Sequence, residues 1–137
     1  MDEKQTAFMH EAMPFAVALG VEVVSAAPEE VRARVAWDAS KCTSGGALHG
    51  GVLMGLADAC GGMSAFLNLP EGATGTTTIE SKTNFLRAVK SGTAEAIARP
   101  LHVGSGTVVV ETEITNDHHL VAKVTQTQVV LEARTNT

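Results

Sequence analysis

Asp58 is the only formal charge between Cys42 and Leu69, and it closes a stretch, His49-Gly50-Gly51-Val52-Leu53-Met54-Gly55-Leu56-Ala57-Asp58, that otherwise reads as a buried helix. A carboxylate in such surroundings must be paired, hydrogen-bonded or protonated to be tolerated. Local pattern breaks of this kind concentrate at functional sites, and a lone carboxylate offers nucleophilic or general-base chemistry. Gly50, eight residues upstream, stands where the helix should begin. Backbone N–H groups there point out along the axis, and the helix dipole adds positive potential to them. With no side chain at Gly50 to block approach, a carbonyl oxygen can reach its N–H, which makes a candidate oxyanion hole. His49 either orients or donates to a substrate, or is bonded to a loop carbonyl. Eight residues of helix span about 12 Å, too far for one carbonyl group to touch both Gly50 and Asp58. Two copies of the helix packed antiparallel would bring Asp58 of one near Gly50 of the other. An obligate homodimer with two interfacial sites is therefore expected.

The helix itself is expected from about Gly50 to Leu67. At 100° per residue, Gly51, Met54, Gly55, Gly61, Gly62 and Ala65 fall within about 60° of Asp58, while Leu53, Leu56, Cys60, Met63 and Leu67 fall opposite. The bulky face suits the inside of a sheet. The glycines on the other face each cost roughly 0.5–1 kcal/mol relative to alanine, so something must approach closely there, either a partner helix or a ligand.

The flanking elements follow from periodicity and turn residues. Gln5 to Leu19 reads as an N-terminal helix divided or bent at Pro14. Val21 to Ala26 and Val31 to Trp37 read as strands, and Ser44-Gly45-Gly46 as a loop before the central helix. After Pro70-Glu71-Gly72 come strands over Thr76 to Arg87, Thr93 to His102, Thr107 to Thr115 and Leu120 to Leu131, with Val108, Val110 and Ile114 on one face of the third. In the last strand Leu120, Ala122 and Val124 alternate with Val121, Lys123 and Thr125. Short turns between successive strands favour an antiparallel meander, and Ala133 to Thr137 reads as a loose tail. A long helix among antiparallel strands buries itself by lying across a curved sheet, an α+β architecture.

The 137 residues, 45% hydrophobic, form one domain over 1–137. A net charge of −5 argues against a nucleic-acid binder. His49, Asp58, Ser64 and Asn68 interrupt the long apolar stretch and argue against a membrane span. Two cysteines, with no CxxC and no visible secretory signal, make a cytoplasmic protein the default expectation. His10, His102, His118 and His119 show no ligand spacing, so no metal site is expected, and no GxSxG elbow occurs.

His49-Gly50-Gly51 opening a helix, Asp58 nine positions after His49, and Thr76-Thr77-Thr78-Ile79-Glu80 running into Asn84-Phe85-Leu86-Arg87-Ala88 resemble the hotdog-fold acyl-CoA thioesterases of the phenylacetate-pathway branch over roughly residues 15 to 131. The resemblance implies an antiparallel sheet of about five to six strands around one long helix, and an acyl-CoA substrate hydrolysed without a cofactor. It implies dimers that form one continuous sheet, often paired into homotetramers. It casts Asp58 as the carboxylate that attacks the thioester carbonyl or activates water, Gly50 N–H as oxyanion donor with His49 beside it, and Thr78 as a hydroxyl positioning the water or the carboxylate. Thr43 stands where related enzymes often carry Asn or Gln near the leaving thiol. Thr43, Gly51, Thr77, Arg87, Lys90 and Gly104 fall on the substrate side, with Arg87, Lys90 and Arg99 and the Gly104-Ser105-Gly106 turn as candidates to meet phosphates. Phe8, Phe15 and Met54 are candidates to line an acyl pocket.

Two readings of other classes compete. A non-catalytic acyl-CoA-binding or regulatory module would be stabilised by ligand without turning it over. A purely structural dimerisation domain would respond to no CoA ester and would leave Asp58 unexplained.

Overall fold

The computed structural model describes residues 1–132, so the tail read at 133–137 lies outside the described residues. The chain runs α1 (Glu3–Ala12), α2 (Pro14–Leu19), β1 (Glu22–Ala27), β2 (Glu30–Ala36), two short 3-10 turns, α3 (Gly50–Leu67), then β3 (Ala73–Phe85), β4 (Thr93–Val103), β5 (Thr107–Asn116) and β6 (His119–Glu132). Pro14 divides the N-terminal helix: Met13 leaves helical geometry at φ −131°, ψ 84°, and Pro14 starts α2, where its missing N–H is harmless.

All strands join one six-stranded antiparallel sheet in the order β1-β2-β4-β5-β6-β3. The meander expected after the helix holds only for β4-β5-β6. β3 pairs with β6 instead of β4 and becomes an edge of the sheet. The alternation expected from Leu120 also breaks. Ala122 pairs with Ile114 but Leu120 pairs with Thr115, so Val121 is an extra residue in the ladder. Val121 is buried while Leu120 is 38% exposed.

α3 lies across the concave face of this sheet. Ala94, Ala96 and Ala98 supply the inward face of β4 where the helix crosses, and their small side chains let it sit close. Leu53, Leu56, Cys60 and Met63 pack into the core with Val31, Val35, Val108, Val110 and Ile114. This is the α+β hotdog arrangement. The 18 residues of α3, of mean hydropathy 1.3, are more than half buried against the sheet.

Both ends of α3 are pinned. Leu48 N–H donates to Val89 O (2.8 Å) and His49 N–H to Lys41 O (2.9 Å), which fixes the entry loop. At the exit, Asn68 donates its side-chain amide to Pro28 O (2.7 Å) and Ser64 O (2.8 Å).

Candidate active site

The sequence places Asp58 in buried surroundings, but in the single chain it is exposed. The sheet covers one side of α3 and the N-terminal helices cover part of the other, which leaves Asp58 open beside edge strand β3. Its carboxylate is nonetheless engaged. Thr78 donates its hydroxyl to Asp58 Oδ1 at 2.8 Å, and Gln126 Nε2 reaches the same oxygen at 3.3 Å. Gln128 Nε2 in turn donates to Thr78 Oγ1 (2.5 Å), and Thr76 Oγ1 donates to Gln128 Oε1 (3.0 Å).

β3 aims its side chains here through a bulge. Thr78 pairs with Gln128 and Glu80 with Thr127, so Ile79 is the extra residue, adjacent to the Asp58 contact. Bulges recur next to active sites because they re-aim a side chain.

A cavity of about 530 Å³ extends from Asp58 along α3 toward its C-terminus. Gly62, Met63 and Phe66 of α3 form one wall, Thr74 to Thr78 of β3 another, and Phe8, Ala12 and Met13 close it from the N-terminal helices. The Phe8 and Phe66 rings meet at 5.6 Å, tilted by 40°. Phe8 lines this cavity as expected, whereas Phe15 (66% exposed) and Met54 (38% exposed) lie outside it. Their helix positions fall beside the first half of α3, away from the cavity.

The other end of the site is the start of α3. His49 is the helix N-cap: its Nδ1 accepts the Gly51 N–H at 2.8 Å, which requires the ring proton on Nε2. This cap engages the Gly51 N–H, and the His49 Nε2–H has no acceptor among the described residues. Gly50 N–H has no acceptor among the described residues. The Phe85 ring lies over it, 3.0 Å from where a Cβ on Gly50 would stand.

Two of the glycines of α3 need no partner helix to explain them. A Cβ at Gly55 would meet Leu19 at 2.7 Å, and one at Gly61 would run into the Gln126 amide. Gly61 and Ala65 are buried against the sheet rather than lying on the outer face with Asp58. Substituting Ala for Gly in a helix interior normally stabilises by about 0.5–1 kcal/mol. Gly61→Ala is expected to reverse that sign, since overpacking costs about 1–3 kcal/mol; chemical denaturation of the variant beside wild type checks it.

The proposed phosphate contacts separate. Arg99 is held by Glu30 (Nη2–O 2.7 Å) on the far side of the sheet. The Gly104 turn sits at the opposite end of β6 from Arg87: Val130 N–H donates to Gly106 O, while Arg87 N–H donates to Val121 O. Arg87 and Lys90 flank Val89, which is bonded to the α3 entry loop, so these two exposed cations accompany Gly50. Thr43 is exposed in the same loop, outside the cavity, and its N–H donates to Ala47 O (2.8 Å). Thr77 does line the cavity.

Gln126 and Gln128 were missed in the sequence. The available signal was two polar residues at inward-facing positions of β6, in register with Val124 and Val130. Cys60, two residues from Asp58, is no competing nucleophile: burial pushes its thiol up to about 12. Among the described residues no cluster of His, Cys, Asp or Glu could hold a metal ion.

A hotdog sheet with a helix-borne carboxylate at a cavity walled by aromatic and threonine side chains, and a glycine N–H at the same helix's start, is the framework of a thioester or ester hydrolase. The chain belongs to the thioesterase superfamily, which residues 45–123 match. It is 33% identical over 97 residues to ComA2 of Bacillus subtilis, a presumptive esterase, covering 71% of this chain and 77% of that one. Among solved structures it is similar to thioesterase HI1161 from Haemophilus influenzae, with TM-score 0.80, 28% identity and coverage of 86% and 82% of the two chains. It is also similar to PaaI from the phenylacetic acid degradation operon of E. coli, with TM-score 0.82, 26% identity and coverage of 94% and 93%. The likenesses establish the superfamily, and they include phenylacetate-degradation proteins without singling out that branch.

Proposed function

We propose that the protein is an acyl-CoA thioesterase whose site is completed across a homodimer. The observation that carries this reading is the pairing of Asp58, held by Thr78 and Gln126, with a 530 Å³ cavity lined by Phe8, Met63 and Phe66. The acyl group lies in that cavity with its thioester carbonyl at Asp58. Asp58 attacks the carbonyl carbon or draws a proton from an attacking water. The C–S bond breaks and the thiolate leaves, taking a proton; where Asp58 has attacked, water then hydrolyses the Asp58–acyl anhydride, and on either route the free acid is released. The developing oxyanion is met by Gly50 N–H of the second copy. Arg87 and Lys90, brought by the loop that holds Gly50, then lie toward the phosphates of coenzyme A.

Two features support the dimer. Gly50 and Asp58 are about 12 Å apart on one helix, so one chain cannot apply both to a single carbonyl. β3 is a 13-residue edge strand paired on one side only among the described residues, with Ile79 62% and Phe85 51% exposed. Proteins seldom leave so long an edge strand unpaired. Edge-to-edge pairing of two β3 strands would extend the sheet across both copies, and two such dimers would make the tetramer.

The test is free-thiol release from a panel of aromatic and aliphatic acyl-CoAs, with sedimentation of the same sample. Turnover is expected, at a mass of two or four times the 14.2 kDa chain. A monomer, or thermal stabilisation by CoA esters without turnover, would sink the composite-site reading, the latter in favour of a binding module.

A further inference from the structure

We propose that Gln126 and Gln128 are positioning residues that fill Oδ1 of Asp58 through a directed chain of donors and leave Oδ2 as the reacting oxygen. This rests on the hydrolase reading above and adds to it which oxygen acts and what holds the carboxylate.

The inward face of β6 carries Ala122, Val124, Gln126, Gln128 and Val130. The first two and Val130 show what packing alone selects there. The two glutamines are 0% and 1% exposed, and burying an amide is unfavourable unless its groups are bonded. Gln128 is bonded at both ends. Thr76 donates to its Oε1, which turns Nε2 toward Thr78. Because Nε2 can only donate, Thr78 Oγ1 accepts there and must spend its one hydrogen elsewhere. That hydrogen goes to Asp58 Oδ1. The sequence Thr76 to Gln128 to Thr78 to Asp58 therefore runs in one direction, and a reversed Gln128 amide would draw the one Thr78 hydrogen to Oε1 and away from Asp58.

Gln126 reaches Oδ1 from below α3. It does so with its own Oε1 buried and without a partner among the described residues, in the space left by the missing side chain of Gly61. An oxygen left without a partner there costs stability. With Thr78 and Gln126 both on Oδ1, no donor among the described residues reaches Oδ2. That oxygen keeps its lone pairs for a thioester carbon or a water.

The test uses Gln126→Met and Gln128→Met, near-isosteric changes that remove the donors. With the acyl-CoA that wild type turns over best, each is expected to lower kcat by about tenfold or more, with KM within about twofold. Melting temperature should stay level or rise in Gln126→Met, since the variant loses an unsatisfied oxygen. A fall in kcat that only tracks a fall in melting temperature, or an unchanged kcat, would overturn the proposal. Side-chain amide NMR of the ligand-free protein separates this from the hydrolase reading. The Gln128 Nε2 signals should move in Thr78→Val and stay in place in Thr78→Ser. Signals indifferent to Thr78→Val would overturn the donor chain whether or not the protein turns over substrate. Signals that move, in a protein that hydrolyses no acyl-CoA, would instead remove the catalytic meaning by removing the hydrolase.

Discussion

Asp58→Asn is expected to lower thiol release by at least about 100-fold, the scale of losing a catalytic base or nucleophile, while leaving the fold and melting temperature close to wild type. The substitution is a narrow one. Asparagine keeps the shape, and its carbonyl oxygen can still accept from Thr78 and Gln126, the two donors that Asp58 Oδ1 now receives. Asp58 is exposed in the single chain, so no core packing is lost. What disappears is the second carboxylate oxygen, replaced by an NH₂ that can neither attack a carbonyl nor take a proton from water. The neighbouring groups offer no substitute. Cys60 is fully buried with its thiol pushed up to about 12, Ser64 is buried within α3, and the Thr78 hydroxyl already points its hydrogen at Asp58. Steady-state rates with the best acyl-CoA, alongside circular dichroism and thermal melts, decide it. Equal rates in the two proteins would take Asp58 out of the chemistry.

The parts of this site legible in the sequence are those set by local rules. Glycines at a helix start, a lone charge on an apolar helix and the alternation of β5 are one-dimensional signals, and Gly50–Leu67 came out with its ends in place. The parts that were not legible depend on which strands meet. Nothing local to β3 reveals that it leaves β4 and pairs with β6, and that pairing alone sets Thr78 opposite Gln128. The same gap hid the cause of Gly61, whose missing side chain is matched by a residue 65 positions on, Gln126. It also made Arg99 and Gly104 look like companions of Arg87, although the sheet carries them away from it. The sequence sets the Asp58 face of the helix against a partner or a ligand, and in this chain the sheet covers the opposite face and leaves Asp58 open. A second copy is what would cover the rest.

That second copy can be tested at one atom. Gly50→Pro is expected to abolish most activity, whereas Gly50→Ala should retain a substantial part of it. Gly50 is the first residue of α3, the position where proline fits best because its missing N–H would have no intrahelical acceptor. His49 before it already has φ −57° and ψ 137°, the extended geometry that a residue preceding proline requires. Proline therefore removes the candidate oxyanion donor without removing the helix. Alanine adds the same Cβ against the Phe85 ring, which stands 3.0 Å away at the end of an exposed side chain that can shift, but it keeps the N–H. The difference between the two variants isolates the hydrogen bond, worth about 100-fold or more for one oxyanion donor. Mixing then asks where that donor comes from. In a dimer of Asp58→Asn with Gly50→Pro, one site receives both defects and the other receives neither. Random reassortment makes half the dimers mixed, so two nearly inactive proteins should together regain about a quarter of wild-type activity. If both groups acted within one chain, every site in the mixture would carry a defect and no activity would return.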